Sequence, residues 1–413
     1  MTSFAMSSDA MRRRATDPRW IAFAGIAVGM IGFWLTLPPV LARTIVWPVS
    51  FGVVGIAAGT WAVSQGVRKL GWGTIAVSAL ALLLGVAATH SSVAHLDGAQ
   101  NGAVDWGAMV NQTFVFATPL AFAAVGGMFS ERSGVVNIGL EGMMLAGAFF
   151  GILGADKFNS WEVGLLTAMA AGAVLGLLHA ILSVTLRADQ IIGGTAIWFL
   201  AIGVTGYFFI QIYGENGTPG TGIPEIPDVK LHFLDNIPPD RVGGFLDQAF
   251  GHLNLMIWAL FVLLIVAQIV MFKTSIGLRL RSVGEHPRAA DTVGISVYKT
   301  RYVAVTLSGA IASLGGAFLS IGYVHSFSEN MTAGKGFIGL AALIFGNWRP
   351  FGAFGATLLF GFFLGLSTRI QGYGYEAQVL VQALPYLVTL IAVAGVIGRS
   401  IPPAAVGRPY VKQ

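Results

Sequence analysis

Apolar stretches alternate with short polar punctuation along nearly the whole chain, and their lengths cluster around the thickness of a bilayer. They fall near residues 20–37, 44–64, 72–89, 109–129, 138–155, 162–186, 190–212, 252–272, 302–323, 336–347, 352–368 and 377–398. A helix that crosses the hydrocarbon core needs roughly 20 apolar residues, so the pattern predicts an all-α, polytopic integral membrane protein with about 11–12 transmembrane segments. The run from Trp20 to Leu37 follows Arg12, Arg13, Arg14 and Arg19. It is longer than the roughly 7–15 apolar residues of a cleaved signal and reads as a retained anchor.

Two elements depart from the regular pattern. Residues 336–347 would rise only about 18 Å as a helix against a core of about 30 Å, so this element must be buried among other helices. A second short, polar-marked element at Val136–Phe150 carries Ile138-Gly139-Leu140-Glu141-Gly142, which matches Ile338-Gly339-Leu340-Ala341-Ala342 at an offset of 200 residues. With every segment crossing, the two run in opposite directions. Short or broken helices at matching places of two oppositely directed halves are the signature of an inverted repeat and point to a substrate path.

Charge fixes the orientation. Of the 24 basic residues, 18 fall on the side of the N-terminus when every segment crosses, a positive-inside bias that makes that side cytoplasmic. Were 336–347 re-entrant, the split would fall to 15 against 9. The net charge of +5 thus reports topology rather than a nucleic-acid partner. Charged residues make up 10% of the chain and apolar ones 55%, where a soluble domain carries roughly a quarter charged; a water-facing enzyme is excluded. Zero cysteines remove disulfides, thiolate metal sites and cysteine nucleophiles. The 55 glycines suit close helix approach in lipid.

Two extramembrane stretches stand out. Residues 213–251, placed outside, carry six acidic residues and prolines at 219, 224, 227, 238 and 239; the prolines argue against a regular helix, and the length suits a binding or gating loop or, as the alternative, a tether. Residues 273–301, placed inside, carry Lys273, Arg279, Arg281, Arg288, Lys299 and Arg301. Within them Pro287 to Val293 reads as one short helix, with Pro287 at its first position, Gly294 as its C-terminal cap and Glu285 placed to complement its dipole.

Catalytic chemistry is sparse. Gly334-Lys335-Gly336 lacks the flanks of a phosphate-binding loop, so the chain does not hydrolyse ATP by itself. His179 reads as a hydrogen-bonded core histidine, and no metal spacing or nucleophile constellation exists. Glu141 is the clear carboxylate at hydrocarbon depth. A buried ionisable group there is a functional candidate, and a helix cap or packing group in a wet vestibule fits equally well. An ion-coupled secondary transporter using Glu141 is therefore the alternative reading. Asn111 and Gln112 near an outer span end, Gln268, and the Gln378 and Gln382 pair are further polar candidates, for which interhelical hydrogen bonds are the ordinary explanation.

Three blocks resemble one family. Thr118-Pro119-Leu120 through Glu131-Arg132-Ser133-Gly134-Val135-Val136-Asn137-Ile138-Gly139-Leu140-Glu141-Gly142-Met143-Met144 is similar to the opening signature of permease subunits of bacterial ATP-binding-cassette importers for nucleosides and simple sugars. Gly277 to Ala290 resembles that family's cytoplasmic coupling segment, and Gly336 to Trp348 its third block. The resemblance covers roughly 110–410 and implies a permease core over 108–401, a cytoplasmic tail over 402–413, and an N-terminal extension over 1–107 with three transmembrane anchors. It implies import of nucleosides or related simple sugars across the bacterial inner membrane, with no cofactor in this chain because partner subunits hydrolyse ATP. The implied partners are an ATPase subunit, a second permease (identical or different), and a periplasmic or lipoprotein substrate-binding protein. Membrane lipid surrounds the assembly, and no nucleic acid is involved. Gly284, Glu285, His286, Pro287, Arg288, Ala289 and Ala290 are expected to couple to the ATPase, with His286 standing where Asn is common. Asn111, Gln112, Asn137, Glu141, Phe337 and Asn347 are the candidates for the substrate path.

Overall fold

The computed structural model describes residues 17–34, 45–90, 106–214, 217–219, 222–232, 245–369, 383 and 400–412. Each predicted apolar stretch within these residues is helical over most of its length. Apart from Ala383, the stretch at 377–398 lies outside the described residues, as do Gln378, Gln382 and Arg12–Arg14. In chain order the helices are α1 (Pro18–Trp34), α2 (Val46–Ser64), α3 (Arg68–His90), α4 (Trp106–Arg132), α5 (Leu140–Phe158), α6 (Trp161–Ala180) and α7 (Gln190–Tyr213). They continue with α8 (Leu255–Lys273), α9 (Ser275–Glu285), α10 (Pro287–Thr292), α11 (Val297–Ala317), α12 (Lys335–Phe345) and α13 (Pro350–Arg369). Seven helical stretches among the described residues are long and apolar enough to cross a membrane, including α4, α7 and α8. α6 and α11 run on into π-helical turns at Ile181–Thr185 and Phe318–Val324. In the 213–251 region, β1 (Asp228–Lys230) pairs antiparallel with β2 (His252–Asn254), Val229 opposite Leu253.

Polar residues begin several of the helices. Ser160 accepts from the Val163 amide at the start of α6, Asp189 from Ile191 and Ile192 before α7, and Asn254 from Met256 before α8. Each satisfies amides that lack an intrahelical partner.

The chain divides into two compact units, residues 1–106 with 366–399, and 107–365 with 400–413. In the first, α1 to α3 pack on one another, and buried Thr74 and Ser78 of α3 donate to the Ala22 and Gly25 carbonyls of α1 at 3.2 and 3.4 Å. In the second, α5, α6 and α11 form the densest group. Gly172 of α6 and Gly309 of α11 lie backbone against backbone, so a Cβ on either would strike the other's carbonyl oxygen. In lipid, where apolar burial gives no advantage to helix pairing, such close contact is the main source of association.

The two matched sequence elements meet, though not as two equally short helices. Ile138 and Gly139 precede α5, which then runs 19 residues, whereas Ile338 to Ala342 lie inside the 11-residue α12. They are joined by Glu141. Fully buried in the first turn of α5, its carboxylate accepts from Thr332 Oγ1 at 2.6 Å, the Gly334 amide at 2.8 Å and the Gly336 amide at 2.6 Å. The side chain of one element thus caps the N-terminus of the other, where the helix dipole favours a negative charge. Lys335 turns back to the Met331 and Thr332 carbonyls.

Two outcomes test this packing. Glu141→Gln is expected to cost about 1–3 kcal/mol, since its amide leaves Gly334 or Gly336 without an acceptor; a thermal midpoint in detergent equal to that of the parent would remove the cap from the fold's supports. Gly172→Leu should act more severely, leaving little monodisperse protein on size-exclusion chromatography.

Candidate functional site

The segment predicted to couple is built by helix punctuation. Thr274 accepts from the Gly277 amide to start α9, whose Gly277, Leu280, Val283 and Gly284 are buried on one face. His286 leaves helical geometry at φ −139, and Pro287 restarts the chain as α10. The predicted stop is also present: Gly294, at φ +83, donates to Asp291, and Ile295 donates to Ala290. Ala290 is the buried residue of α10, packed with Val283, Val297 and Tyr410. Glu285, His286, Arg288 and Ala289 are exposed.

Gly284 explains why the segment sits where it does. A Cβ there would collide with the carbonyl oxygen of Arg132, at the end of α4. Arg132 in turn donates to the Trp348 carbonyl through Nε at 3.1 Å and Nη2 at 3.0 Å, and its guanidinium lies over Phe272. Trp348 Nε1 donates to the buried Glu131 carboxylate at 2.6 Å. Asn347 and Trp348 both have φ +53, a conformation that side chains other than glycine rarely adopt. The end of α4, the end of α9 and the turn after α12 therefore form one hub.

The C-terminal residues complete that hub, and nothing in their composition announced it. The Ala405 amide donates to the Gly284 carbonyl at 2.9 Å, and the Ala404 amide to Glu285 Oε2 at 3.1 Å. Tyr410 donates from its hydroxyl to Asp291 Oδ2 at 2.9 Å, and its ring packs against Tyr298. Burial, and then the bond to Asp291, push the Tyr410 phenol above its ordinary pKa. Arg301, 1% exposed, donates to the Ser133 carbonyl at 3.2 Å and the Arg408 carbonyl at 3.0 Å. Between α10 and residues 404–411 opens a groove of about 520 Å³ lined by Glu285, Arg288, Ala289, Arg408 and Tyr410. Sequence reading counted Arg301 only as a topogenic charge. Its burial was the missed signal.

The path candidates do not converge on one place. Asn111 donates to the His252 carbonyl at the end of α4 nearest β2, and twenty-one helical residues separate it from Arg132, roughly 30 Å of rise. Gln112 sits one residue further along α4, beside Gly365. Asn137, fully buried, donates to Ser308 Oγ at 3.0 Å. Glu141 is committed to the α12 cap. Phe337 makes an edge contact with the Trp198 ring at 5.3 Å. Asn347 lies in the hub, where its Oδ1 accepts from Ile401. His179 fits the core-histidine reading: it is buried and its Nε2 lies 2.9 Å from the Val136 carbonyl.

The guanosine ABC transporter permease protein NupQ of Bacillus subtilis is 43% identical over 315 residues, covering 74% of this chain and 96% of that protein. The nucleoside ABC transporter permease protein NupC of Lactococcus lactis is 40% identical over 313 residues, with the same coverages of 74% and 96%. The putative glucose ABC transporter permease protein TsgC13 of Haloferax volcanii is 33% identical over 264 residues, 64% of this chain and 78% of that protein. No solved structure matches the chain significantly. The family described as branched-chain amino acid transport system / permease component matches residues 109–393, and the chain belongs to that family of membrane transport permeases.

Proposed function

We propose that this chain is a permease subunit of an ATP-driven importer that carries nucleosides across the bacterial inner membrane. The observation that supports it most strongly is the similarity, at 43% and 40% identity, over nearly the whole length of permeases named for guanosine and nucleosides and 74% of this chain. The relative named for glucose matches less of its length at 33% identity, which favours nucleosides over sugars as cargo. The chain spans the membrane many times with its N-terminus in the cytoplasm, pairs with a second permease, and receives cargo from a substrate-binding protein at the 213–251 loop. Residues 1–107 anchor the chain ahead of this machinery. Asn111, Gln112, Asn137, Phe337 and Asn347 remain candidates for the cargo's route.

Coupling takes place at residues 284–293. A separate ATPase subunit docks on α10, and its closure moves the helix. The exposed Arg288 and Ala289 offer the contact, while Gly284 and Ala290 carry the motion inward through their buried packing. The ion-coupled alternative loses its main support in Glu141. That carboxylate has three donors fixed on it, which suits a structural cap better than a proton carrier.

Uptake of a labelled nucleoside into proteoliposomes holding the complete importer should require ATP and the ATPase subunit. Uptake driven by a pH gradient without the ATPase would overturn the proposal. Gly284→Ala should cut ATP-dependent uptake at least tenfold while the protein still inserts, because the Cβ forces α9 and α10 off the Arg132 carbonyl; undiminished uptake would remove this segment from the coupling route.

A further inference from the structure

We infer that the C-terminal segment 400–412 is the second wall of the ATPase-docking surface and a strap that passes the movement of α10 to both halves of the core. The inference rests on the reading that the ATPase docks at α10, and it adds a contact that the family likeness does not supply, since the family match ends at residue 393. Three groups of bonds carry it. Toward the coupling segment the strap holds Gly284 through the Ala405 amide, Glu285 through the Ala404 amide and Asp291 through the Tyr410 hydroxyl. Toward α4 the Gly407 amide donates to the Gly134 carbonyl at 3.2 Å, while Arg301 bridges Ser133 to Arg408. Toward α12 the Ile401 amide donates to Asn347 at 3.1 Å. One short segment, turning at 404–407, therefore ties α10 to the turn after α4 and to the turn after α12.

The surface it makes has a definite chemistry. Ala289 and Pro409 are exposed, as is Val411 at 49%, around the groove between α10 and the strap. Arg288 and Arg408 also line that groove, and neither guanidinium has an ion pair among the described residues. The Glu285 carboxylate is already engaged by the Ala404 amide. The groove therefore presents apolar contact area bordered by two free cations, which fits an apolar face of the ATPase subunit edged by carboxylates. Such pairing would steer the two subunits together and fix their register.

The chain has no cysteine, so single thiols report single positions. Ala289→Cys on α10 and Val411→Cys on the strap, each labelled with a thiol-reactive photocrosslinker, are assembled with ATPase and partner permease in proteoliposomes. Both positions are expected to capture the ATPase. Capture from Ala289→Cys alone, or capture of lipid from Val411→Cys, would overturn the strap inference and leave docking at α10 standing. Capture from neither would overturn both. The mechanical part is read from Tyr410→Phe, which keeps the ring and loses the bond to Asp291. Uptake per ATP hydrolysed is expected to fall about fivefold, the effect of one lost hydrogen bond, with the ATPase still bound. An unchanged ratio would overturn transmission through the strap.

Discussion

Nothing in the hydrocarbon of a bilayer can hydrogen-bond a helix end, so every such end placed there needs an acceptor or donor from the protein. The short helix α12 is where this demand is most acute. Its 11 residues span about half of the core, and its first amides would otherwise face an apolar interior. Glu141 meets the need from another helix, and in doing so fixes α5 and α12 to each other. The close backbone packing of α5, α6 and α11 then has a defined partner to build against. Removal of that one carboxylate would loosen a junction between segments nearly two hundred residues apart.

The same economy of polar groups operates at the other end of the core. Glu131, Arg132 and Arg301 are charged residues at or near helix ends, and each is spent on positioning backbone or an indole rather than on meeting water. Arg301 holds two carbonyls from segments that are distant in sequence. A guanidinium suits this task because its donors form a rigid planar fork. Few charges are present, and those in the hub are used as joints.

The helices were legible from the sequence because lipid imposes a length and a composition on each span. The α10 boundaries were legible for a local reason: Pro287 and Gly294 act on the backbone next to them. A cap was one of the two readings open for Glu141, but which helix it caps was not legible, because its three partners lie at 332–336 and no local pattern links them to position 141. The strap escaped for a related reason. Residues 400–412 carry no periodicity, and their structure comes from bonds to Gly284, Asp291, Asn347 and Gly134. The candidate path was read from polar residue types and from the family-like blocks that also contain Phe337, and polarity is shared by helix caps, interhelical bonds and hub joints. That is why Asn111 and Asn347 came out at opposite ends of α4.

The paired left-handed residues Asn347 and Trp348 have a mechanical meaning. Each conformation of this kind costs roughly 1–2 kcal/mol, and a tryptophan lacks the short amide that lets Asn adopt it cheaply. The turn is held in that conformation by Arg132 on its carbonyl and Glu131 on its indole. The last two residues of α4, and not the turn's own sequence, therefore secure its backbone.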